Sequence, residues 1–253
     1  MARIIAVTNQ KGGVGKTTTA VNLSAALALA GKKVLLADID PQGNATSGVG
    51  YNKKIRSNTL YQLLIAQAKA EEIICHTEVK NLHLIPSSID LAGAEIEISV
   101  LEQREYILKQ ALEKSAEEYD FIIIDCPPSL GLLTLNALVA AKSALIPLQC
   151  EYYALEGLSM LMDTVKAVRK RFNPDLKIEG ILLTMYDSRT NLAAQVMEEV
   201  KQYFYREVYR TIIPRSVRLS EAPSYGKSIL TYDPHSRGAE AYRDLAREVL
   251  ERG

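Results

Sequence analysis

The chain has 253 residues, of which 47% are apolar and 24% charged, so it can build a substantial core and lacks the composition of a disordered segment. Its 30 basic and 30 acidic side chains cancel, which excludes a general electrostatic field as the basis of nucleic-acid binding and leaves only a local patch for that role. The three cysteines lie far apart and indicate neither a disulfide framework nor a zinc site, and no apolar run approaches the ~20 residues of a membrane-spanning helix.

Short apolar, β-branched runs alternate along the chain with longer segments of helical periodicity, which is typical of βα units. The predicted strands cover 3–8, 33–38, 82–86, 121–125, 144–148, 180–185 and 209–213, and the predicted helices cover 17–30, 59–70, 94–117, 131–141, 155–171, 190–205 and 238–251. Because several strands are apolar at every position, they should be buried on both sides. The sequence therefore predicts an α/β fold with a doubly wound, mostly parallel sheet flanked by helices on both faces. We expect one cytoplasmic domain over residues 1–253, because the first strand begins too early to leave room for a signal peptide.

A glycine-rich segment reading NQKGGVGKTTT at 9–19 joins the first predicted strand to the first helix. Its glycines let backbone N–H groups converge on a polyphosphate, and the helix N-terminus adds partial positive charge. Lys16 is expected to contact the phosphates, and the Thr17 hydroxyl is expected to bind a Mg²⁺ ion. The residues assigned to nucleotide binding here are Lys11, Gly12, Gly13, Val14, Gly15, Lys16, Thr17 and Thr18. The alternative is a glycine-rich turn that binds no nucleotide.

This segment departs from the usual phosphate-binding loop at two positions. Gln10 stands where that motif has a glycine, and Lys11 is an additional lysine. The form KGGxGKT is the deviant Walker A signature, so the chain resembles P-loop NTPases of that class. Lys11 resembles the lysine that such ATPases use across a dimer interface.

Aspartates follow two further predicted strands, where ligands of open α/β sheets bind. Asp38 and Asp40 share one side of an extended segment, and we assign Asp40 to orienting the attacking water and Asp38 to supporting the loop or the water shell of the metal. Taken alone, this segment is also interpretable as an ordinary strand-ending turn. Asp125 follows four bulky apolar residues, which is the Walker B pattern for holding Mg²⁺ through water.

Five segments together resemble the chromosomal ParA/Soj partition ATPases. They are NQKGGVGKTTT at 9–19, DIDPQGNAT at 38–46, IIDCPPSLG at 123–131, QCEYYALEG at 149–157 and RLSEAPS at 218–224. The first is shared with the wider superfamily that includes MinD, the nitrogenase iron protein and some amide-forming synthetases. The last two resemble the Soj branch.

The resemblance implies a homodimer in which two ATP-bound subunits meet face to face. Lys11 of each subunit reaches the other's phosphates, Gly12 packs too tightly for a side chain, and Glu151 belongs to the interface. ATP and Mg²⁺ are the expected cofactors, and Lys11, Lys16 and Asp40 the catalytic residues. Adenine contacts are expected from Met185, Pro214 and Ser216, although core packing explains Met185 equally well and Ser216 stands where asparagine is expected.

By the same resemblance, the ATP dimer binds double-stranded DNA without sequence preference, through Arg189 and Arg218. Residues 201–227 carry a net charge of +4, which suits phosphate contact and would be doubled by dimerisation. The charged residues are Lys201, Arg206, Arg210, Arg215, Arg218 and Lys227 against Glu207 and Glu221. The alternative for this segment is ordinary solvated charge.

The leading hypothesis is an ATPase that drives chromosome or plasmid partitioning, associated with the nucleoid and acting with a ParB/Spo0J-type partner whose basic N-terminus stimulates hydrolysis. A MinD-like ATPase that cycles on a membrane is the alternative, and it needs a C-terminal amphipathic anchor. Residues 241–253 have apolar side chains at helical spacing, but acids and bases mix on the polar side, so a helix docked on the core explains them better and no membrane partner is expected. The nucleotide site alone does not distinguish a biosynthetic synthetase.

Overall fold

The computed structural model describes residues 1–52, 58–152 and 154–252, and its central feature is a twisted sheet of eight strands in this part of the chain. The strands are β1 (Arg3–Val7), β2 (Val34–Asp38), β3 (Cys75–His76), β4 (Leu82–Ile85), β5 (Phe121–Asp125), β6 (Ser143–Gln149), β7 (Lys177–Tyr186) and β8 (Val208–Pro214). Their order is β3-β4-β2-β5-β1-β6-β7-β8, and every neighbouring pair is parallel except β3 with β4. The predicted doubly wound α/β sheet is confirmed.

Helices cover both faces of the sheet. Those described are α1 (Lys16–Leu29), α2 (Asn44–Gly48), α3 (Leu60–Leu64), α4 (Ala70–Ile73), α5 (Leu91–Ser99), α6 (Ile107–Leu112), α7 (Ser115–Glu118), α8 (Leu132–Ala140), α9 (Ala154–Arg171), α10 (Asn191–Phe204), α11 (Val217–Glu221), α12 (Ile229–Tyr232) and α13 (Arg237–Glu251), and a 3-10 turn spans Ala222–Tyr225. Alternate residues of β5 point to opposite faces: Ile123 packs with α1 and α13, whereas Ile122 and Ile124 pack with α5 and α8. Both faces are therefore buried, as the unbroken apolar strands predict.

All seven predicted strands are present, and among the described residues only the two-residue edge strand β3 was not predicted. The single helix predicted over 94–117 is wrong, because this stretch forms α5, α6 and α7. The side chain of Asn136 on α8 accepts a hydrogen bond from Leu108 N (3.1 Å) and donates one to Arg104 O (2.8 Å). These tertiary bonds take backbone groups that a continuous helix would pair internally.

Two smaller differences from prediction have local causes. The helix predicted over 59–70 breaks after α3, where Ala66 adopts a left-handed conformation with φ 58°, and resumes only as α4. Helix α2 was not predicted, and it forms directly after the turn that contains Asp40. None of the helices in the described part of the chain combines the length and the apolar character needed to cross a bilayer.

Candidate nucleotide-binding site

Three loops converge where β1, β2 and β5 end. Val7 and Asp38 are both in register with Asp125, so the segments that follow these three strands leave the sheet at the same level. They are the glycine-rich loop, the turn containing Asp40 and the loop after Asp125. This is the carboxyl edge of the sheet, where open α/β folds bind ligands.

The glycine-rich loop is held in an open arc over the start of α1. Gly15 has φ 87°, a conformation that favours glycine, and precedes α1 as its N-cap. The Thr184 hydroxyl donates to Val14 O at 2.8 Å and ties the loop to β7. Helix α1 has no side-chain cap and no acidic residue in its first turn, so its first N–H groups are available to an anion.

Lys16 lies almost entirely inside the arc, and its ammonium donates to Lys11 O at 2.9 Å. Burial lowers the pKa of Lys16, and the negative charge of Asp125 opposes that shift. The ammonium thus uses a neutral carbonyl as its partner, which a phosphate oxygen can replace with a stronger, charge-assisted bond.

Asp125 is fully buried, and within the described residues neither of its carboxylate oxygens has a hydrogen-bond partner. Burial, and next the charge of Asp38, raise the pKa of Asp125 well above its usual value, while the nearby Thr17 hydroxyl acts in the opposite direction. A buried carboxylate without partners costs free energy, and a hydrated divalent cation supplies both the missing charge and the missing donors.

Asp38 is also fully buried, but its oxygens are occupied. Oδ2 accepts from both Thr46 N and the Thr46 hydroxyl at 2.7 Å, and Oδ1 accepts from Asp40 N at 3.2 Å. Burial raises the pKa of Asp38 to about 6, and the bonds from Thr46 oppose the shift. The carboxylate therefore anchors the turn and the start of α2, which is the loop-supporting role among the two considered from the sequence.

Asp40 stands at the rim of the same turn with 7% of its surface exposed. Its Oδ1 accepts from Gln42 N at 2.9 Å, and its backbone carbonyl accepts from Gly43 N at 2.8 Å. The Ser87 hydroxyl also donates to that carbonyl, so the loop after β4 supports the turn. Both the side chain and the backbone of Asp40 are thus fixed before any ligand binds.

Lys11 lies on the outer side of the arc and forms an ion pair with Glu151, which lies two residues after the end of β6. The two side chains are 41% and 45% exposed, so the pair is in contact with solvent. A Cβ placed on Gly12 would meet nothing within 4 Å in a single subunit. Tyr153, in the motif at 149–157, lies outside the described residues.

The residues expected to contact adenine lie at one end of this edge. Met185 has a left-handed backbone with φ 49°, and its Cε lies 3.7 Å from where a Cβ on Gly15 would stand. Pro214 pairs with Tyr186 at the ends of β8 and β7. Ser216 is the N-cap of α11, and its side chain makes no capping hydrogen bond.

Arg189 and Arg218, the residues expected to bind DNA, already have carboxylate partners. The Arg189 side chain is 85% exposed, and its guanidinium donates two hydrogen bonds to the Asp187 carboxylate, at 2.7 and 2.8 Å. Arg218 is 58% exposed, and its guanidinium lies 3.1 Å from Glu221 and 3.6 Å from Asp233.

The net charge of residues 201–227 overstates the positive surface that the fold presents. Arg210 lies 2.8 Å from Glu251 and 3.7 Å from Glu248, both on α13, and Asp233 also comes from outside the segment. Helix α13 and the end of α12 therefore bring acids to a segment whose own sequence is basic.

Comparisons with known proteins show which family the chain belongs to. A family model described as an AAA domain matches residues 2–178. The sporulation initiation inhibitor protein Soj of Bacillus subtilis is 63% identical over 253 residues, covering 100% of both chains. This chain belongs to the ParA/Soj family of chromosome-partitioning ATPases.

Other members and solved structures extend the similarity. The ParA/Soj protein of Myxococcus xanthus, named chromosome partitioning protein ParA, is 56% identical over 252 residues and covers 100% of this chain and 89% of its own length. A crystal structure of cobyrinic acid a,c-diamide synthase from Mycobacterium smegmatis superimposes with a TM-score of 0.88 at 39% identity, covering 99% of this chain and 95% of that one. That structure contains an ATP analogue and magnesium.

Sequence reasoning about this ParA/Soj ATPase missed three supporting residues. The Thr184 hydroxyl donates a hydrogen bond to the glycine-rich loop, and the Thr46 hydroxyl donates one to the Asp38 carboxylate. The Ser87 hydroxyl donates one to the backbone carbonyl of Asp40. Each acts from a different segment, and a hydroxyl residue after a strand has many other uses. Only the position of Ser87 just after β4, at the ligand-binding edge, is a usable sequence signal.

Proposed function

We propose that this ParA/Soj ATPase is a switch whose two subunits are joined by ATP and bind DNA without sequence preference only while joined. The observation that carries the proposal is the buried Asp125 carboxylate, which lacks a hydrogen-bond partner among the described residues and lies near the Lys16 ammonium. A nucleoside triphosphate with Mg²⁺ fits this pair, because the phosphates would bind the Lys16 ammonium and the hydrated cation would bind the Asp125 carboxylate. In this function, residues 1–253 act as one cytoplasmic domain that associates with the nucleoid.

The residues at the edge divide the work. The N–H groups of residues 12–18 and the Lys16 ammonium bind the phosphates. The Thr17 hydroxyl would bind Mg²⁺ directly, and Asp125 and, more weakly, Asp38 would hold it through its water shell. When bound, Mg²⁺ supplies charge neutralisation for the phosphates. Asp40, fixed at the rim, orients the water that replaces ADP at the γ-phosphorus, giving ADP and phosphate.

The exposed Lys11 supports a role across the dimer. Its pair with Glu151 is solvated, and such pairs contribute only ~0–1 kcal/mol, so Lys11 can exchange a carboxylate for a partner's triphosphate at little cost. Gly12 has open space above it in one subunit, which leaves room for the second subunit to approach. We place Lys11, Gly12 and Glu151 at that interface.

The remaining assignments concern the base and the DNA. Met185, Pro214 and Ser216 line the end of the edge where the adenine of ATP would lie, with Met185 against Gly15. Arg189 and Arg218 contact DNA phosphates, and two subunits present two copies of each, so affinity rises with the number of phosphates neutralised. A ParB/Spo0J-type protein is the proposed partner that stimulates hydrolysis through its basic N-terminus.

The packing of α13 supports this proposal over a membrane-cycling function. Tyr242, Leu245 and Val249 of α13 are buried, and the Tyr242 hydroxyl lies 3.3 Å from that of Thr19 on α1. An anchor helix would need those apolar side chains for lipid. ATP-dependent pelleting with anionic liposomes would favour the membrane alternative.

The deciding experiment measures mass and DNA binding together. Light scattering of an Asp40→Ala variant should give a dimer with ATP and a monomer with ADP, and Lys11→Ala should bind ATP yet remain monomeric. Gel shifts with no nucleotide, ADP, ATP and a non-hydrolysable analogue should show retention only with the last two. An unchanged mass with ATP, or equal retention in all four lanes, overturns the proposal.

A further inference from the structure

Helix α2 lies between the candidate nucleotide site and the surface that carries Arg218. Thr46, in the middle of α2, gives two hydrogen bonds to the buried Asp38 carboxylate. Ala45 of the same helix belongs to the buried apolar cluster that contains Leu219 of α11 and Ala222, the first residue of the 3-10 turn. The helix is therefore in contact with both regions.

A close contact between two glycines joins α2 to the Arg218 segment. Gly50 follows α2, and Gly226 ends the 3-10 turn. A Cβ on Gly226 would lie 2.7 Å from Gly50 Cα, and one on Gly50 would lie 2.9 Å from Gly226 O. Because backbone meets backbone with no flexible side chain between them, a displacement that pushes one segment toward the other is transmitted across the contact.

The restraint on Arg218 lies on the far side of this contact. Glu221, which holds the guanidinium at 3.1 Å, also accepts a hydrogen bond from the Tyr232 hydroxyl at 3.3 Å. The Tyr232 ring stacks on Tyr225 with centroids 5.0 Å apart, and Tyr225 directly precedes Gly226. A shift at Gly226 therefore reaches the carboxylate that competes with DNA phosphate for Arg218.

We propose that α2 and the Gly50–Gly226 contact transmit the state of the Asp38–Asp40 turn to Arg218, so that nucleotide sets how readily each subunit releases Arg218 to a phosphate. The inference rests on the proposed function, because it needs ATP-dependent DNA binding. If dimerisation only doubled the number of arginines, DNA retention would depend on the fraction of dimer alone. Coupling predicts that DNA retention also depends on the Gly50–Gly226 contact, in a dimer of unchanged mass.

The experiment compares Gly226→Ala with Gly31→Ala. Both glycines have positive φ, 65° and 89°, so both substitutions strain the backbone, but a Cβ on Gly31 meets nothing within 4 Å. DNA retention is measured with the non-hydrolysable ATP analogue and with ADP, and dimer mass is measured by light scattering in the same samples. The analogue-to-ADP retention ratio should fall at least about fivefold in Gly226→Ala, the lower limit of typical coupling, with dimer mass unchanged. Gly31→Ala should keep the wild-type ratio.

The outcomes separate two failures. A wild-type ratio of one means that the proposed function is wrong. A wild-type ratio above one that Gly226→Ala retains overturns the coupling alone, and so does an equal loss in Gly31→Ala.

If Gly226→Ala does not fold or dimerise, hydrogen exchange decides. The amides of Gly50, Gly226 and Lys227, bonded to Ser47, Pro223 and Ala222, are followed in the Lys11→Ala variant, where the second subunit is absent. Coupling predicts that protection differs about fivefold or more between the analogue and ADP, and equal protection overturns it.

Discussion

The carboxyl edge of the sheet and the surface around Arg218 both carry charge, but they satisfy it in different ways. At the edge, Asp125 is buried without a hydrogen-bond partner among the described residues, and Lys16 uses a backbone carbonyl. On the surface, Arg189 and Arg218 are exposed and already paired with carboxylates. Buried charge without a partner costs free energy that a ligand recovers, whereas exposed ion pairs exchange partners at little cost. Changes at the edge should therefore have large effects, and those on the surface small, salt-dependent ones.

The largest effect is expected from Lys16→Ala. The variant loses the one ammonium inside the arc of the glycine-rich loop and should weaken ATP binding by about 100-fold or more, the size of losing a buried charge-assisted contact. Titration calorimetry with ATP and Mg²⁺ measures this. Lys33→Ala is the matched control, since Lys33 is exposed and lies 3.8 Å from Glu118 at the amino end of β2. Equal affinity in both variants would remove Lys16 from the phosphate site.

Asp40→Ala tests the edge through rate instead of affinity. Because the variant lacks the carboxylate that we propose orients the attacking water, its single-turnover hydrolysis rate should fall by about 100-fold while its ATP affinity stays within about threefold. Asp90→Ala, which removes an exposed carboxylate after β4, should hydrolyse normally. Normal turnover in Asp40→Ala would show that another group positions the water.

Asp125→Asn sharpens the comparison through stability. Burial raises the pKa of Asp125 well above its usual value and that of Asp38 to about 6, so the folded chain binds these protons more tightly than the unfolded chain. The stability of the nucleotide-free protein should therefore fall as pH rises from about 4 through 6, and the uncharged amide should reduce that loss.

At pH 8 and without nucleotide, Asp125→Asn should melt a few degrees above wild type, at roughly 2–4 °C per kcal/mol. With ATP and Mg²⁺ the order should reverse, because only the carboxylate recovers free energy from the cation. Differential scanning calorimetry from about pH 4 to pH 8, with and without nucleotide, measures both differences in melting temperature. A nucleotide-free variant that is less stable than wild type at pH 8 would contradict the view that the buried Asp125 carboxylate costs stability.

The smallest effect belongs to the surface. Arg218→Glu should reduce DNA retention with ATP about 10-fold at 50 mM salt and less at 200 mM, while ATP hydrolysis without DNA is unchanged. Lys166→Glu changes the net charge equally on α9, where Lys166 pairs with Asp163 at 3.0 Å, and should retain DNA normally. A loss that does not shrink with salt, or one shared by Lys166→Glu, would argue against phosphate contact by Arg218.

Features encoded within a few neighbouring residues could be predicted from the sequence. The seven predicted strands follow from short apolar, β-branched runs, and the glycine-rich loop follows from its position between a strand and a helix. The convergence of Asp38 and Asp125 was also predictable, since parallel strands end at one edge. The breaks in the helix predicted over 94–117 could not be predicted in this way. They arise because Asn136, which is distant in sequence, forms hydrogen bonds with backbone groups of Arg104 and Leu108.

Local sequence patterns were enough to predict the strands, the glycine-rich loop and the aspartates at the carboxyl edge, because each rests on local spacing and on the geometry that all parallel sheets share. The tertiary structure alone decided which charges remain unpaired. It brings Asp233 close to Arg218 and places Gly50 in contact with Gly226. It also lets Thr46 donate hydrogen bonds to Asp38, whereas Asp125 has no hydrogen-bond partner among the described residues. Partners of this kind are chosen by packing between distant segments, and no pattern within either segment encodes the choice.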